Sequence, residues 1–357
     1  MNKKRIQIVI GIALAAVLLW WAFRGTDVRE MGAAMRDIHW GWLCLSLLGV
    51  VVSFFTRILR WRYIVRTAKP VSFRSMFSAT QIGFLANFVL PGRAGEVVRA
   101  LVLGRLEQLP FSKCFAFVAL DRLTDLVGLI VVMMVSMITY RPPSVSDLPA
   151  DFPAWAASLV RPGAIHAATF SACAFLVVLA GAFVLLYVNQ GLALRISDAC
   201  MGLVSKRLVK PMHDLLFHFA EGMQIFRSAA DMAKSVFFSL VTWAIFAMTY
   251  MSILYAFHLD PPWYSAFVVL SLLALAISLP GAPGFIGQFH AAIVAAMVIT
   301  MPNINLDVAR AIAIVAHLVN LIPVYIVGFY CLYLEGFGLI ELKRQTETAE
   351  AEAPEKE

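Results

Sequence analysis

The sequence predicts an all-α, polytopic membrane protein that is built as two similar halves. Of its 357 residues, 61% are hydrophobic and 14% are charged, and the mean hydropathy is +0.81. A soluble protein of this length needs a more charged surface. Long apolar segments alternate with short loops that hold most of the charges. The segments also follow the same order twice, which indicates an internal repeat.

Six apolar segments are near the length of about 20 residues that a helix needs to cross a bilayer. They occupy residues 6–23, 41–56, 114–138, 168–188, 236–257 and 311–334. We therefore predict six full transmembrane helices.

Two further apolar segments are each interrupted by proline and glycine. Residues 75–106 break at Leu90-Pro91-Gly92-Arg93-Ala94-Gly95, and residues 263–300 break at Leu279-Pro280-Gly281-Ala282-Pro283-Gly284. Proline and glycine free backbone groups that lipid cannot satisfy, so a break at membrane depth must face protein or a water-filled cavity. Broken hairpins at matching positions of two halves favour a transporter's binding site. The alternative is two ordinary hairpins with turns at the membrane surface.

Each half thus reads helix, helix, broken hairpin, helix. The first membrane half covers residues 1–140, a Pro-rich external loop covers 141–166, the second half covers 167–342, and a polar cytoplasmic tail covers 343–357. Each half crosses the membrane three times, so we predict that the second half is inverted relative to the first.

The net charge of +7 does not indicate a nucleic-acid partner, because the charges lie in short loops between apolar segments. The loops at residues 57–74 and 189–235 are rich in Lys and Arg. Positive loops stay in the cytoplasm. We therefore expect both loops and both termini to be cytoplasmic.

Ionisable side chains cluster around the first break and in the helix that follows it. Asp125 lies 12 residues beyond Lys113, which is about 18 Å into a hydrocarbon core about 30 Å thick. Spacings of three and four residues place these side chains on shared helix faces. The candidate substrate-binding residues are Asn87, Arg93, Glu96, Arg99, Asp121, Arg122 and Asp125.

Two interpretations of this cluster stay open, and they are compatible. The charges either form a buried ion-pair network that holds the hairpin against the next helix, or they line a polar cavity. In a cavity the arginines receive a phosphate, while the carboxylates balance charge or titrate.

The second break carries no formal charge. Gly281, Gly284 and Gly287 recur every three residues, which favours close packing. Secondary candidates are Gly281, Gly284, Gln288, His290, His317 and Asn320. A lone intramembrane histidine is more often a structural group than a proton carrier.

Motifs of nucleotide-driven or hydrolytic chemistry are missing from the sequence. It contains no G-x-x-x-x-G-K-[ST], no H-E-x-x-H and no G-x-S-x-G. We therefore expect no catalytic residue, cofactor or metal.

The sequence resembles the flippase-like integral membrane family that matches the transmembrane region of lysylphosphatidylglycerol synthase. The resemblance lies in Arg57-x-x-Arg60-Trp61-Arg62, in Asn87 with Pro91-Gly92-Arg93-Ala94-Gly95-Glu96-x-x-Arg99, in Asp121-Arg122-x-x-Asp125 and in Pro280-Gly281-x-x-Gly284. The family usually has Glu where this chain has Asp121. Residues after 343 are too few for the soluble synthase domain, so synthase activity is not expected.

The resemblance implies movement of a lipid across the bacterial inner membrane. The lipid could be anionic, aminoacylated, polyprenyl-linked or a hopanoid. The first hypothesis is therefore a lipid transporter or flippase. The alternatives are a membrane-embedded lipid-headgroup transferase and a non-transporting partner of a glycosyltransferase or synthase. A homo-oligomer and a lipid-modifying enzyme as partner are both compatible with the sequence.

The predicted topology can be tested by cysteine labelling. In a cysteine-free background, Arg66→Cys and Arg207→Cys should resist an impermeant reagent applied from outside, because positive loops remain cytoplasmic. Asp147→Cys should react. Labelling of position 66 from outside would contradict both the topology and the inverted repeat.

Overall fold

The computed structural model describes residues 13, 15–66, 70–90, 94–140, 162–205, 209–210, 212–213, 216–217, 229–278 and 282–338. The regular elements in these ranges are helices. They are α1 (residues 15–23), α2 (Val28–Arg36), α3 (Trp40–Val65), α4 (Phe73–Val89), α5 (Gly95–Glu107), α6 (Phe111–Thr139), α7 (Pro162–Val188), α8 (Gln190–Val204), α9 (Ala229–Ala256), α10 (Ser265–Ser278), a short 3₁₀ turn (Pro283–Phe285), α11 (Gln288–Thr300) and α12 (Leu306–Leu334).

The all-α, polytopic prediction is confirmed. Helices α3, α6, α9 and α12 each contain 26 to 29 residues, so they are about 39–44 Å long and exceed a hydrocarbon core of about 30 Å. Within the described residues, four helical segments are both long and apolar enough to cross a membrane: Trp40–Val65, Ala230–Ala256, Pro283–Thr300 and Leu306–Leu334. Most of the loop at 141–166 and the whole tail at 343–357 lie outside the described residues, although residues 162–166 begin α7.

One predicted boundary is wrong. The second span was predicted to end at residue 56, but α3 continues to Val65, so Arg57, Arg60 and Arg62 lie in the helix and not in a loop. A span that is predicted from hydropathy ends at the first charged residues. In the folded protein Arg60 is 1% exposed and is neutralised by carboxylates from another helix, which removes most of the cost of its charge.

Helices α3 and α9, the second helices of their halves, pack along each other in opposite directions. The Thr56 and Thr242 hydroxyls lie 2.8 Å apart, and Ser235 Oγ donates to the Arg60 carbonyl at 3.4 Å. A Cβ atom on Gly49 would lie 2.3 Å from Thr249 Oγ1. The residue numbers in these contacts increase along α3 while those of their partners on α9 decrease, so the two helices are antiparallel. Equivalent helices that run antiparallel are what an inverted repeat requires.

The other helix contacts agree with this two-fold relation. The first hairpin consists of α4 and α5, and the second of α10 and α11. Helix α4 packs against α12, the helix that ends the second half, and α10 packs against α6, the helix that ends the first half. In the two-fold relation α4 corresponds to α10 and α12 corresponds to α6. The α4–α12 contact and the α10–α6 contact are therefore equivalent.

The tips of the two hairpins meet against the middle of α12. The Phe88 ring lies 5.4 Å from the Phe285 ring and 6.2 Å from the Tyr325 ring, measured between centroids. His317 Nε2 lies 2.8 Å from the Gly284 carbonyl oxygen. Tyr325 and His317 are nine and eleven residues from the two ends of α12, or about 14 and 17 Å. This geometry favours hairpins that break at membrane depth over hairpins that turn at the surface.

The arms of the first hairpin approach so closely that no side chain fits between them. A Cβ atom on Gly95 would lie 2.2 Å from the Gly83 carbonyl oxygen and 2.4 Å from Asn87 Cγ. Asn87 Oδ1 accepts the Gly95 backbone N–H at 2.8 Å. The glycine and the asparagine therefore hold the two arms together.

This contact predicts that Gly95→Ala destabilises the protein. The added methyl group must push the two arms apart, and overpacking of this kind costs about 1–3 kcal/mol. The measurement is the thermal unfolding temperature of the purified protein in detergent. Gly32→Ala is the matched control, because a Cβ atom there meets nothing within 4 Å. Equal unfolding temperatures for the two variants would contradict the close approach.

Candidate functional site

A carboxylate and two guanidiniums form the buried layer of the charged cluster. Asp121 on α6 accepts Arg60 Nε from α3 at 2.8 Å and Arg99 Nη1 from α5 at 2.7 Å, one on each oxygen. The three residues are 0%, 1% and 2% exposed, in that order. Because each belongs to a different helix, this layer joins the first hairpin to both of its neighbouring spans.

Arg99 is also held by an aromatic ring. Its guanidinium carbon lies 3.6 Å from the centroid of the Trp61 ring, which is cation–π geometry. The indole N–H of Trp61 donates to the Phe117 carbonyl at 3.2 Å and so fixes the ring. These contacts favour a structural role for the buried layer.

Glu96, Arg122 and Asp125 form an accessible layer beside the buried one. Arg122 Nε lies 3.4 Å from Glu96 Oε1, and Arg122 Nη1 lies 3.6 Å from Asp125 Oδ2. The side chains of Arg122, Glu96 and Asp125 are 37%, 28% and 15% exposed. Asp125 also pairs with Arg60 and so links the two layers. The contacts of Arg122 are longer than strong charge-assisted hydrogen bonds, so this arginine can exchange them for contacts with a ligand.

Trp243 on α9 brings the second half of the chain into this site. Its indole N–H lies 3.1 Å from Asp125 Oδ1 and 3.2 Å from the Asp125 carbonyl oxygen. Gly128 makes room for the ring, since a Cβ atom there would lie 2.2 Å from Trp243 Cδ1. No pattern in the sequence indicates this contact, because Trp243 lies in an uninterrupted apolar segment.

Arg57 is a second residue that was not among the predicted site residues. Its guanidinium lies between the rings of Phe84 and Phe246, with the carbon 4.8 Å from each centroid. Its Nε is buried without a hydrogen-bond partner. In the described part of the chain, its electrostatic attraction is mainly to Asp125, but the two side chains form no ion pair. The signal in the sequence was the Arg57-x-x-Arg60 spacing, which places both arginines on one face of α3.

Of the predicted residues, the structure brings Glu96, Arg99, Asp121, Arg122 and Asp125 together. Asn87 lies at the hairpin tip, where its side-chain oxygen is bonded to the Gly95 backbone. Arg93 lies outside the described residues.

The secondary candidates form a separate group at the second hairpin. His317 Nε2 carries a proton, because its partner at 2.8 Å is the Gly284 carbonyl oxygen, which can only accept. The rings of His290 and His317 lie 4.8 Å apart between centroids. Asn320 Nδ2 donates to the Ala316 carbonyl at 2.8 Å. The two histidine contacts stabilise the end of the hairpin against α12, whereas the Asn320 hydrogen bond lies within α12.

Two secondary candidates remain. Gln288 is 1% exposed at the start of α11, so it is packed inside the bundle. Gly281 lies outside the described residues.

The family described as "Lysylphosphatidylglycerol synthase TM region" matches residues 8–328 of this chain. The chain belongs to this family. The match confirms the resemblance inferred from the motifs and identifies a multi-pass membrane protein.

Two curated relatives match part of the chain. A UPF0104 membrane protein of Pyrococcus horikoshii is 31% identical over 140 residues, which is 38% of this chain and 41% of that protein. The glycosyltransferase AglD of Haloferax volcanii is 29% identical over 141 residues, which is 38% of this chain and 22% of that enzyme. The matches thus span less than half of each relative. No solved structure matches the chain.

The two layers predict different responses to neutralisation. Asp121→Asn leaves two buried guanidiniums without their counter-charge, and breaking a buried ion pair costs about 3–5 kcal/mol. We expect a large fall in the thermal unfolding temperature in detergent. Glu96→Gln, in the accessible layer, should change it little. A similar fall in both variants would show that the whole cluster is structural.

Proposed function

We propose that this protein moves a lipid between the two leaflets of the membrane and that the headgroup passes through the charged cluster. The accessible layer of Glu96, Arg122 and Asp125 is the observation that carries this proposal. These charges lie deep in the helical bundle, are partly exposed and are loosely paired. Charges at such depth are costly, and as a rule they mark a substrate or ion pathway.

The architecture supports the same conclusion. Two halves with antiparallel equivalent helices, and two broken hairpins that meet near the middle, are typical of proteins that work by alternating access. In that mechanism the halves move against each other around a site near the bilayer midplane. The charged cluster contains residues of the first half with Trp243 of the second, so movement of the halves would change the site.

We further propose that the protein lies in the bacterial inner membrane with both termini in the cytoplasm. The excess of Lys and Arg over Asp and Glu in residues 57–74 and 189–235 supports this orientation. The resemblance to the synthase's membrane region supports the choice of membrane.

A second candidate is a partner of an enzyme that handles lipid-linked sugars. It is favoured by one relative, which is a glycosyltransferase whose matched segment is 22% of its length.

A headgroup transferase would use Glu96 as its acid or base, because that carboxylate is the most exposed of the cluster.

Purified protein in liposomes would distinguish these functions. The panel would contain fluorescent phosphatidylglycerol, an aminoacylated phospholipid and a polyprenyl-phosphate sugar, with the outer leaflet bleached by an impermeant reductant. We expect faster exchange between leaflets without chemical change. A modified lipid would identify a transferase. Exchange at the rate of protein-free liposomes would contradict transport by the chain alone.

Neutralising the accessible layer should abolish transport without unfolding the protein. We expect Glu96→Gln to slow lipid exchange by about 10-fold or more, since a hydrogen bond to a charged group contributes about 1.5–3 kcal/mol. The double variant Glu96→Gln with Arg122→Gln should also fold and stay inactive. If the double variant regained activity at equal protein levels, these residues would form a structural ion pair, and the proposal of a headgroup site would be contradicted.

A further inference from the structure

We propose that Arg57 is the receptor for a phosphate group on the lipid headgroup, an inference that rests on the proposed function of this site. It names a chemical class of substrate, a lipid with a singly charged phosphodiester. It also assigns a binding role to a residue that the sequence placed in a loop.

The charge balance of the cluster is the first argument. In the described part of the chain, four guanidiniums, those of Arg57, Arg60, Arg99 and Arg122, face the three carboxylates of Glu96, Asp121 and Asp125. The site therefore has an excess of one positive charge. A phosphodiester carries one negative charge and would neutralise it.

The distribution of partners identifies Arg57 as the source of the excess. Both oxygens of Asp121 bind other arginines. Asp125 Oδ1 accepts from Arg60 and Trp243, and Asp125 Oδ2 lies 3.6 Å from Arg122. The nearest carboxylates are thus already occupied. Arg99 and Arg122 also have buried nitrogens without an acceptor, but each pairs with a carboxylate through another nitrogen. Within the described residues Arg57 pairs with no carboxylate, and its Nε is buried with no acceptor. A buried donor without an acceptor is costly, so a ligand oxygen there gains an unusually favourable contact.

Two aromatic rings keep Arg57 in this position. The guanidinium is planar, and Phe84 on α4 and Phe246 on α9 lie 4.8 Å from its carbon. Aromatic contacts stabilise the cation without using its N–H groups. Arg57 is held while its donors stay available, and a guanidinium fork matches two phosphate oxygens.

Arg60, on the same helix, differs from Arg57 in its burial and in its ion pairs. It lies one turn further along α3, is 1% exposed and pairs with both Asp121 and Asp125. Arg57 is partly exposed and unpaired within the described residues. Removing Arg57 leaves no carboxylate without its partner, so its loss should not unfold the protein.

Lipid binding by the full purified chain in detergent tests this inference. The probes are phosphatidylglycerol and a monoglucosyl-diacylglycerol with the same acyl chains, which has no phosphate, and bound lipid is counted by native mass spectrometry. Wild type should prefer phosphatidylglycerol. Arg57→Gln should bind phosphatidylglycerol at least about 10-fold more weakly than wild type. It should also lose the preference for phosphatidylglycerol over the glycolipid. Arg62→Gln, an exposed arginine on the same helix, is the control and should bind as wild type.

A second variant and a second ligand complete the test. Phe246→Leu keeps the charge but removes one ring, so we expect phosphatidylglycerol binding to weaken about 3-fold. Inorganic phosphate should raise the unfolding temperature of wild type but not of Arg57→Gln. Unchanged phosphatidylglycerol binding in Arg57→Gln would overturn the inference, and so would equal binding of both lipids by wild type together with no effect of inorganic phosphate on its unfolding temperature. Arg57-dependent binding of inorganic phosphate without lipid preference would support the anion site and contradict the lipid transporter.

Discussion

The carboxylate of Asp121 lies between two guanidiniums, on two different helices, that would otherwise repel each other. It is fully buried, and its two oxygens accept Arg60 from α3 and Arg99 from α5. Without it, two guanidiniums would be left in a low-dielectric interior, which is among the most costly arrangements in a protein. The carboxylate therefore ties the first hairpin to the spans on either side of it. The chain thus pairs one part of its charge in the interior and leaves another part partly exposed.

Much of this fold could be predicted because its signals are local. Span length, the two Pro–Gly breaks and the three- and four-residue spacings on α6 each lie within one segment. Five of the seven predicted binding residues meet because α5 packs against α6, the helix that follows it directly in the chain. Arg57, Arg60 and Trp243 could not be placed, because their partners lie in other helices and because hydropathy treats a neutralised charge as the end of a span. The role of Asn87 was also non-local, since its partner lies across the break.

The two halves share a plan but differ in polarity. The first half carries the charges, whereas the second supplies Trp243 and Phe246 to the same site and keeps neutral histidine and amide contacts at its own hairpin. An inverted repeat therefore need not create two equivalent sites. In this family member the ionised side chains of the cluster come from the first half alone, whereas both halves contribute aromatic rings to it.

The meeting of the two hairpin tips has a further consequence for the membrane in which the protein sits. Phe88, Phe285 and Tyr325 form an aromatic group between the ends of the two broken segments. Three rings in contact leave little room for water where the two hairpins meet. Aromatic rings offer few sites for a continuous file of water, and such a file is what protons and small ions need to cross. Contact between the two hairpins therefore favours a bundle that holds charges at membrane depth without a continuous file of water through this point.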